Sequence, residues 1–167
     1  MPPLCCIVLE RGEMSLDAWL NEQTGLLDPM DQRNILYKIT RALQFLHDHR
    51  IVHRDLKPGN IVVFTSNLFA LKLIDLGSAC QRGQSATIEY TLRYAAPELI
   101  TTHLKNSAEI VAHPSADMWP LGLIFWEILV GEPLFGSNYS EEEVTLFVFA
   151  SNSFSQCEFR FSQCLQT

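Results

Sequence analysis

The spacing of apolar residues predicts two long helices separated by short extended segments. Between residues 28 and 49, Ile35, Leu36, Ile39, Leu43 and Leu46 recur at three- and four-residue steps, which commits one helix face to a core. Asp28, Pro29 and Asp31 suit its start: an N-cap oxygen, a proline that lacks only an N–H the first turn leaves unpaired, and a carboxylate beside free backbone amides. A second, largely apolar helix is predicted to open at residue 115 or 117 and to end at Gly131, a typical terminating residue. Its run at 119–129 is interrupted by Pro120 and Glu127 and falls short of the ~20 residues a bilayer span requires, so it reads as a buried helix.

The shorter runs have β-like patterns. Residues 4–9 form an apolar stretch that gives way to a polar turn at Glu10, Arg11 and Gly12, and Ser15 is placed to cap a short helix over residues 16–20 with Asp17 in its first turn. Three further strands are expected at 51–53, 61–64 and 71–74, followed by a loop over 77–91. Loops between short strands are good places to hold catalytic groups. Past Pro133 the pattern degrades. A Phe-Ser-Gln-Cys tetrapeptide at 154–157 recurs at 161–164, too little for a structural repeat, and no element is predicted for 151–167.

Composition narrows the function. With 167 residues, 47% apolar, the chain can fill one core. A formal charge of -7, with only 12 scattered Lys and Arg, argues against a nucleic-acid binder and supports no membrane role. Five cysteines, an odd number, and a start without a basic region and apolar stretch fit free thiols in an intracellular, cytoplasmic setting.

The densest chemistry is His53-Arg54-Asp55-Leu56-Lys57-Pro58-Gly59-Asn60, between two expected strands. Phosphoryl transfer needs these groups: a carboxylate to receive or orient a hydroxyl, a cation to offset charge on the moving phosphate, and an amide oxygen for a hard metal ion. Asp75-Leu76-Gly77 follows the strand expected at 71–74, then come Thr91, Tyr94 and Ala96-Pro97-Glu98, and then Asp117, Trp119 and Gly122.

In this order, and over residues 5–135, these motifs resemble the large lobe of eukaryotic protein kinases, with Asp75-Leu76-Gly77 standing where the family has Asp-Phe-Gly. The resemblance implies an α+β fold: a mainly helical lobe with short β-hairpins around the catalytic loop. It implies that Asp55 is the catalytic base, that Lys57 contacts the γ-phosphate, that Asn60 and Asp75 bind magnesium, and that Thr91 bridges Asp55 and Lys57. It implies ATP and Mg2+ as cofactors and a protein hydroxyl as substrate; Lys57 and Thr91 favour the serine/threonine class. Leu9 would be the gatekeeper, Glu10 and Gly12 would offer backbone to the adenine edge, and Val62 would lie beneath the ring, although an ordinary strand-core role explains Val62 equally well. Ser15 and Asp17 are candidates for ribose contact or for helix capping. Leu76 would keep an apolar plug in the core, and Asp117 would accept hydrogen bonds from the catalytic loop backbone. Arg54 marks a class often ordered by phosphorylation, with Ser85 and Thr87 either phosphosites or plain loop residues.

Other parts of the family pattern cannot be placed. No Gly-rich loop, small-lobe lysine or helix glutamate is recognisable, so the expectation is a hinge and large lobe over 1–143 without a small lobe, then a divergent tail over 144–167. The arginine that would pair with Glu98 is not recognisable, and Pro120 stands where an amide donor is usual; it costs little only if the helix begins at Asp117. Two functions follow as expectations: a Mg-ATP-dependent serine/threonine kinase, or an inactive kinase fragment that binds a partner or competes with an intact enzyme. A hydrolase has little support, since no nucleophile elbow or metal-ligand cluster is present.

Overall fold

Mixed helix and short sheet surround two apolar cores in the computed structural model, which describes residues 10–64 and 69–153. The expected strand at 4–9, Leu9 with it, and the repeated tetrapeptide lie outside the described residues.

The longest helix forms as its pattern dictates. Strand β1 (Met14–Ser15) and helix α1 (Leu16–Asn21) precede α2 (Pro29–Asp48), whose N-cap Asp28 accepts the N–H of Met30 at 2.8 Å. Ile35, Ile39, Leu43 and Leu46 are buried along α2, while Leu36 is only partly so. Burying each such side chain contributes about 1.5–3 kcal/mol. Ser15 does not cap α1 through its side chain; it is drawn into β1, paired with Val62, so its hydroxyl is not placed over the first turn.

Strands β2 (Ile51–Val52), β3 (Ile61–Phe64) and β4 (Ala70–Leu73) lie within a residue of the expected runs. Antiparallel pairing gives the order β1-β3-β4, with Ile61 opposite Leu73. The stretch expected to be loop carries two more strands. β5 (Cys80–Gln81) pairs with β2, and β6 (Ser85–Thr87) pairs with β7 (Glu109–Val111), which lies past helix α3 (Pro97–Leu104). Runs of two and three residues with a Gly between them carry too little alternation to be read locally; their partners lie far away in sequence.

Helix α4 (Ser115–Val130) ends at Gly131, whose φ of 88° is the left-handed cap that glycine adopts most readily, with its N–H on the Glu127 carbonyl at 2.9 Å. The helix opens at Ser115, so Pro120 sits beyond the first turn and removes the hydrogen bond to the Ala116 carbonyl; burial of its ring offsets part of that loss. Leu121, Ile124 and Ile128 of α4 meet Ile35, Ile39 and Leu43 of α2 in the first core.

Structure continues past Pro133. Helix α5 (Glu141–Ser153) runs across residue 143, where the divergent tail was expected to begin, and buries Val144 and Val148 in the second core with Phe135, Ile100 and Leu123. Its pattern was obscured because Leu146, Phe147 and Phe149 are apolar yet exposed, which erases the contrast between its faces.

Candidate active site

The loop between β2 and β3 is held from below by one carboxylate. Asp117, fully buried in the first turn of α4, accepts the backbone N–H of His53 at 2.9 Å and of Arg54 at 2.8 Å, and His47 Nε2 at 2.8 Å. Arg54 has a φ of 70°, the left-handed region that costs a non-glycine residue energy, and the two amide bonds to Asp117 hold the turn there. The expected role of Asp117 thus has its geometry. His47 was not anticipated: on α2 it reads as a helix C-terminal histidine.

His53 adds a second tie. Its Nε2 donates to the Ile74 carbonyl at 3.1 Å, which leaves Nδ1 as acceptor for the Asp55 N–H at 3.4 Å, a neutral tautomer linking the loop to the end of β4. Arg54, nearly buried, donates to the carbonyls of Ser78 and Thr87. Its guanidinium therefore binds the 78–87 segment through backbone oxygens. Of the two candidate phosphosites, Ser85 donates to Glu109 and Thr87 to Glu89.

Asp55 is the centre of the loop. Oδ2 accepts Lys57 Nζ at 2.7 Å and Asn60 Nδ2 at 2.9 Å; Oδ1 accepts the Thr91 hydroxyl at 2.8 Å, and that hydroxyl accepts Lys57 Nζ at 2.7 Å. Partial burial pushes the Asp55 carboxyl up, but the hydrogen bonds from Lys57, Thr91 and Asn60, with the Lys57 charge, outweigh it and hold the group below the ordinary aspartate range. Asp55 is an ionised acceptor. With two bonds on Oδ2 and one on Oδ1, the open lone pair belongs to Oδ1.

The structure thus brings together Asp55, Lys57, Asn60 and Thr91. Asp75 stands nearby, at the same end of the β3–β4 pair as Asn60: the Ile74 N–H bonds the Asn60 carbonyl at 2.9 Å, just beyond Ile61 opposite Leu73. Asp75 is exposed, with a φ of 58°, and accepts the Gly77 N–H at 3.3 Å. Leu76 is no core plug. It is 47% exposed, because the left-handed turn at Asp75 takes the chain out of β4 before residue 76 can alternate inward.

Gly12 and Val62 also meet. A Cβ at residue 12 would lie 2.1 Å from Val62 Cγ1, so a larger residue fits there only if the Val62 side chain shifts. Val62 is partly exposed. Glu10 points its carboxylate at Lys72 in an exposed ion pair. Asp17 lies by Gly59, 4.0 Å from where its Cβ would be.

The donor set fits magnesium. Asn60 spends Nδ2 on the Asp55 carbonyl and carboxylate, among the described residues its Oδ1 has no hydrogen-bond donor, and Asp75 supplies a carboxylate at the same strand end. Magnesium commonly takes one or two protein oxygens and completes its shell with phosphate and water. Among the described residues no group of three or more His, Cys, Asp or Glu could hold a metal by itself, and no helix is long and apolar enough to cross a membrane.

A second polar pair, Tyr94 and Glu127, had no signal in the sequence. Tyr94 Oη donates to Glu127 at 2.9 Å between α4 and the turn before α3. Burial raises both groups, and their proximity raises Tyr94 further. The Glu98 carboxylate has no cation partner among the described residues.

The sequence model of the protein kinase domain matches residues 3–163. The chain is 33% identical over 145 residues to a cyclin-dependent kinase 4 homolog of Caenorhabditis elegans, covering 84% of this chain and 34% of that protein. It is 36% identical over 134 residues to cell division control protein 2 homolog 3 of Trypanosoma brucei brucei, covering 77% and 40%. It is 32% identical over 151 residues to mitogen-activated protein kinase 15 of Mus musculus, covering 85% and 26%. The chain thus spans two fifths or less of each of these relatives.

Proposed function

The chain belongs to the protein kinase family, and from that premise we propose that it carries the phosphoacceptor side of a serine/threonine kinase active site, using Mg-ATP to phosphorylate a protein hydroxyl. The observation that carries this reading is the Asp55 cluster: an ionised carboxylate with one open lone pair, beside a lysine and a threonine hydroxyl.

In this reading Asp55 Oδ1 receives the hydrogen bond of a substrate serine or threonine and orients its oxygen for attack; the proton would pass to the carboxylate as that oxygen bonds to the γ-phosphorus, the bond from γ-phosphorus to the β-bridging oxygen breaks and ADP leaves with the electron pair. Lys57 keeps Asp55 ionised and offsets negative charge on the transferring phosphate. Thr91 fixes the lysine and the carboxylate relative to each other. Asn60 and Asp75 would hold magnesium, which when bound supplies charge neutralisation at the phosphates. Gly12 lets the chain pass close to Val62, which would lie beneath the adenine ring, with the Glu10 and Gly12 backbones at the ring edge.

Transfer from labelled Mg-ATP to a general protein substrate tests the reading, comparing the chain with Asp55→Asn and with a version extended upstream. Transfer that Asp55→Asn lowers by about 10²–10⁴-fold supports it. Transfer insensitive to Asp55→Asn, or none from either form, refutes it. A competing reading, an inactive fragment that binds a partner, predicts saturable partner binding with no transfer from the extended version.

A further inference from the structure

The segment that carries Thr91 is laced to the link between α3 and α4. Strand β6 pairs with β7 through Ser85 opposite Val111, Ala86 opposite Ile110 and Thr87 opposite Glu109. Backbone bonds prolong this ladder at both ends: the Gly83 N–H on the Ala112 carbonyl at 2.8 Å, the Ala112 N–H on the Gln84 carbonyl at 2.8 Å, and the Ile88 N–H on the Ala108 carbonyl at 3.2 Å. We propose that the ladder is a clasp that orders residues 78–91 without a phosphate, and that a phosphate ester on Ser85 opens it. The inference rests on the kinase reading above for its effect on transfer, and on the ladder alone for the clasp.

Arg54 supplies the first argument. Its nearly buried guanidinium donates to the carbonyls of Ser78, at 3.0 Å, and of Thr87, so the cation best placed to receive an added phosphate is already spent on backbone oxygens, one before the ladder and one within it. Three residues past the last ladder bond, the Thr91 hydroxyl donates to Asp55 Oδ1 at 2.8 Å. The clasp therefore sets the register at which Thr91 meets the Asp55 loop.

The charges beside Ser85 are the second. Ser85, Thr87 and Glu109 are all exposed; the Ser85 hydroxyl donates to Glu109 across the ladder, and Thr87 stands opposite the same glutamate. Glu89 accepts the hydroxyls of Ser78 at 3.3 Å and of Thr87 at 3.4 Å. Among the described residues no Lys or Arg forms an ion pair with Glu89 or Glu109. The ester forms when the Ser85 oxygen bonds to the γ-phosphorus of a nucleoside triphosphate held by a separate kinase, its proton passing to a base of that enzyme and the nucleoside diphosphate leaving with the electron pair of the broken P–O bond. That removes the donor to Glu109 and brings about -1.5 to -2 charge against it, so an attraction across the ladder becomes a repulsion.

Amide hydrogen exchange read by mass spectrometry over residues 83–88 and 108–112 tests this, on the whole chain with serine and with phosphoserine at residue 85, the latter introduced during synthesis. The serine form is expected to protect these amides and phosphoserine to speed their exchange about three- to tenfold, with a smaller change at high salt. Glu109→Lys gives the phosphate a partner across the ladder and should restore the protection, while peptides from α2 and α4 exchange alike in every form. Three results would each overturn the proposal: a serine form without protection, which would mean that order needs a phosphate; phosphoserine that slows exchange, which would mean that a cation such as Arg82 captures it; and an acceleration that Glu109→Lys leaves intact, which would mean that charge is not the cause. Phosphate transfer measured in parallel separates the two readings. Transfer with exchange that phosphoserine does not change sinks this inference alone, whereas the expected exchange with no transfer even from the version extended upstream sinks the catalytic reading and leaves the clasp.

Discussion

Asp117 Oδ1 accepts the backbone N–H of Arg54 at 2.8 Å, at a residue whose φ of 70° places it in the left-handed region. A helix on one side of the core thereby sets the backbone of the loop that presents Asp55 one residue later. Replacing Asp117 with Asn puts an NH2 group against donors and leaves at least one of the His53 and Arg54 amides unpaired. The expected cost is about 3 kcal/mol, or roughly 6–12 °C in Tm, measured by thermal unfolding. A loss under 1 °C would show that the turn holds itself.

Lys57 and Thr91 keep Asp55 ionised, so Lys57→Met should move the Asp55 titration up toward the ordinary aspartate range, read by carboxyl carbon NMR. The sign follows from the depressed native value. Stability from these contacts is present above the unfolded-state pKa and is lost as pH falls through the lower native one; in Lys57→Met that contribution is smaller and its loss is complete at a higher pH. An unmoved titration would mean that Thr91 and Asn60 suffice.

Gly12 and Val62 form a testable pair. Gly12→Ala forces a methyl into Val62 Cγ1 and is expected to destabilise by about 1–3 kcal/mol, while Gly12→Ala with Val62→Ala recovers most of that loss. Urea unfolding of the four forms gives the coupling. Additive effects would mean the two backbones separate freely.

Glu127 carries a raised pKa from burial, which means its charge opposes folding above the native value. Stability associated with the protonated form is present below the unfolded pKa and is lost as pH rises through the native one. Glu127→Gln keeps an acceptor for Tyr94 and removes the charge, so Tm at pH 7 should rise by roughly 2 °C, with the gain vanishing under acid conditions. A fall in Tm at pH 7 would mean that the charge-assisted bond to Tyr94 outweighs desolvation.

Much of the fold and of the site was legible because it is encoded locally. The period of Ile35, Ile39, Leu43 and Leu46, the cap at Asp28 and the stop at Gly131 each act within a few residues, and the structure places α2 and α4 accordingly. Asp55, Lys57 and Asn60 were legible for the same reason, since one short loop carries all of them.

What the sequence determined was therefore the polar residue set of one loop and the helices around it. Tertiary structure decided what depends on distant partners. It paired Ser85 with Val111 and so made a strand of a loop, brought Glu127 to Tyr94, and turned His47 onto the carboxylate that also holds His53 and Arg54. It left Leu76 exposed. Hydrogen bonds and burial act through space over a few ångströms, so contacts between residues tens of positions apart leave no period for a sequence window to detect.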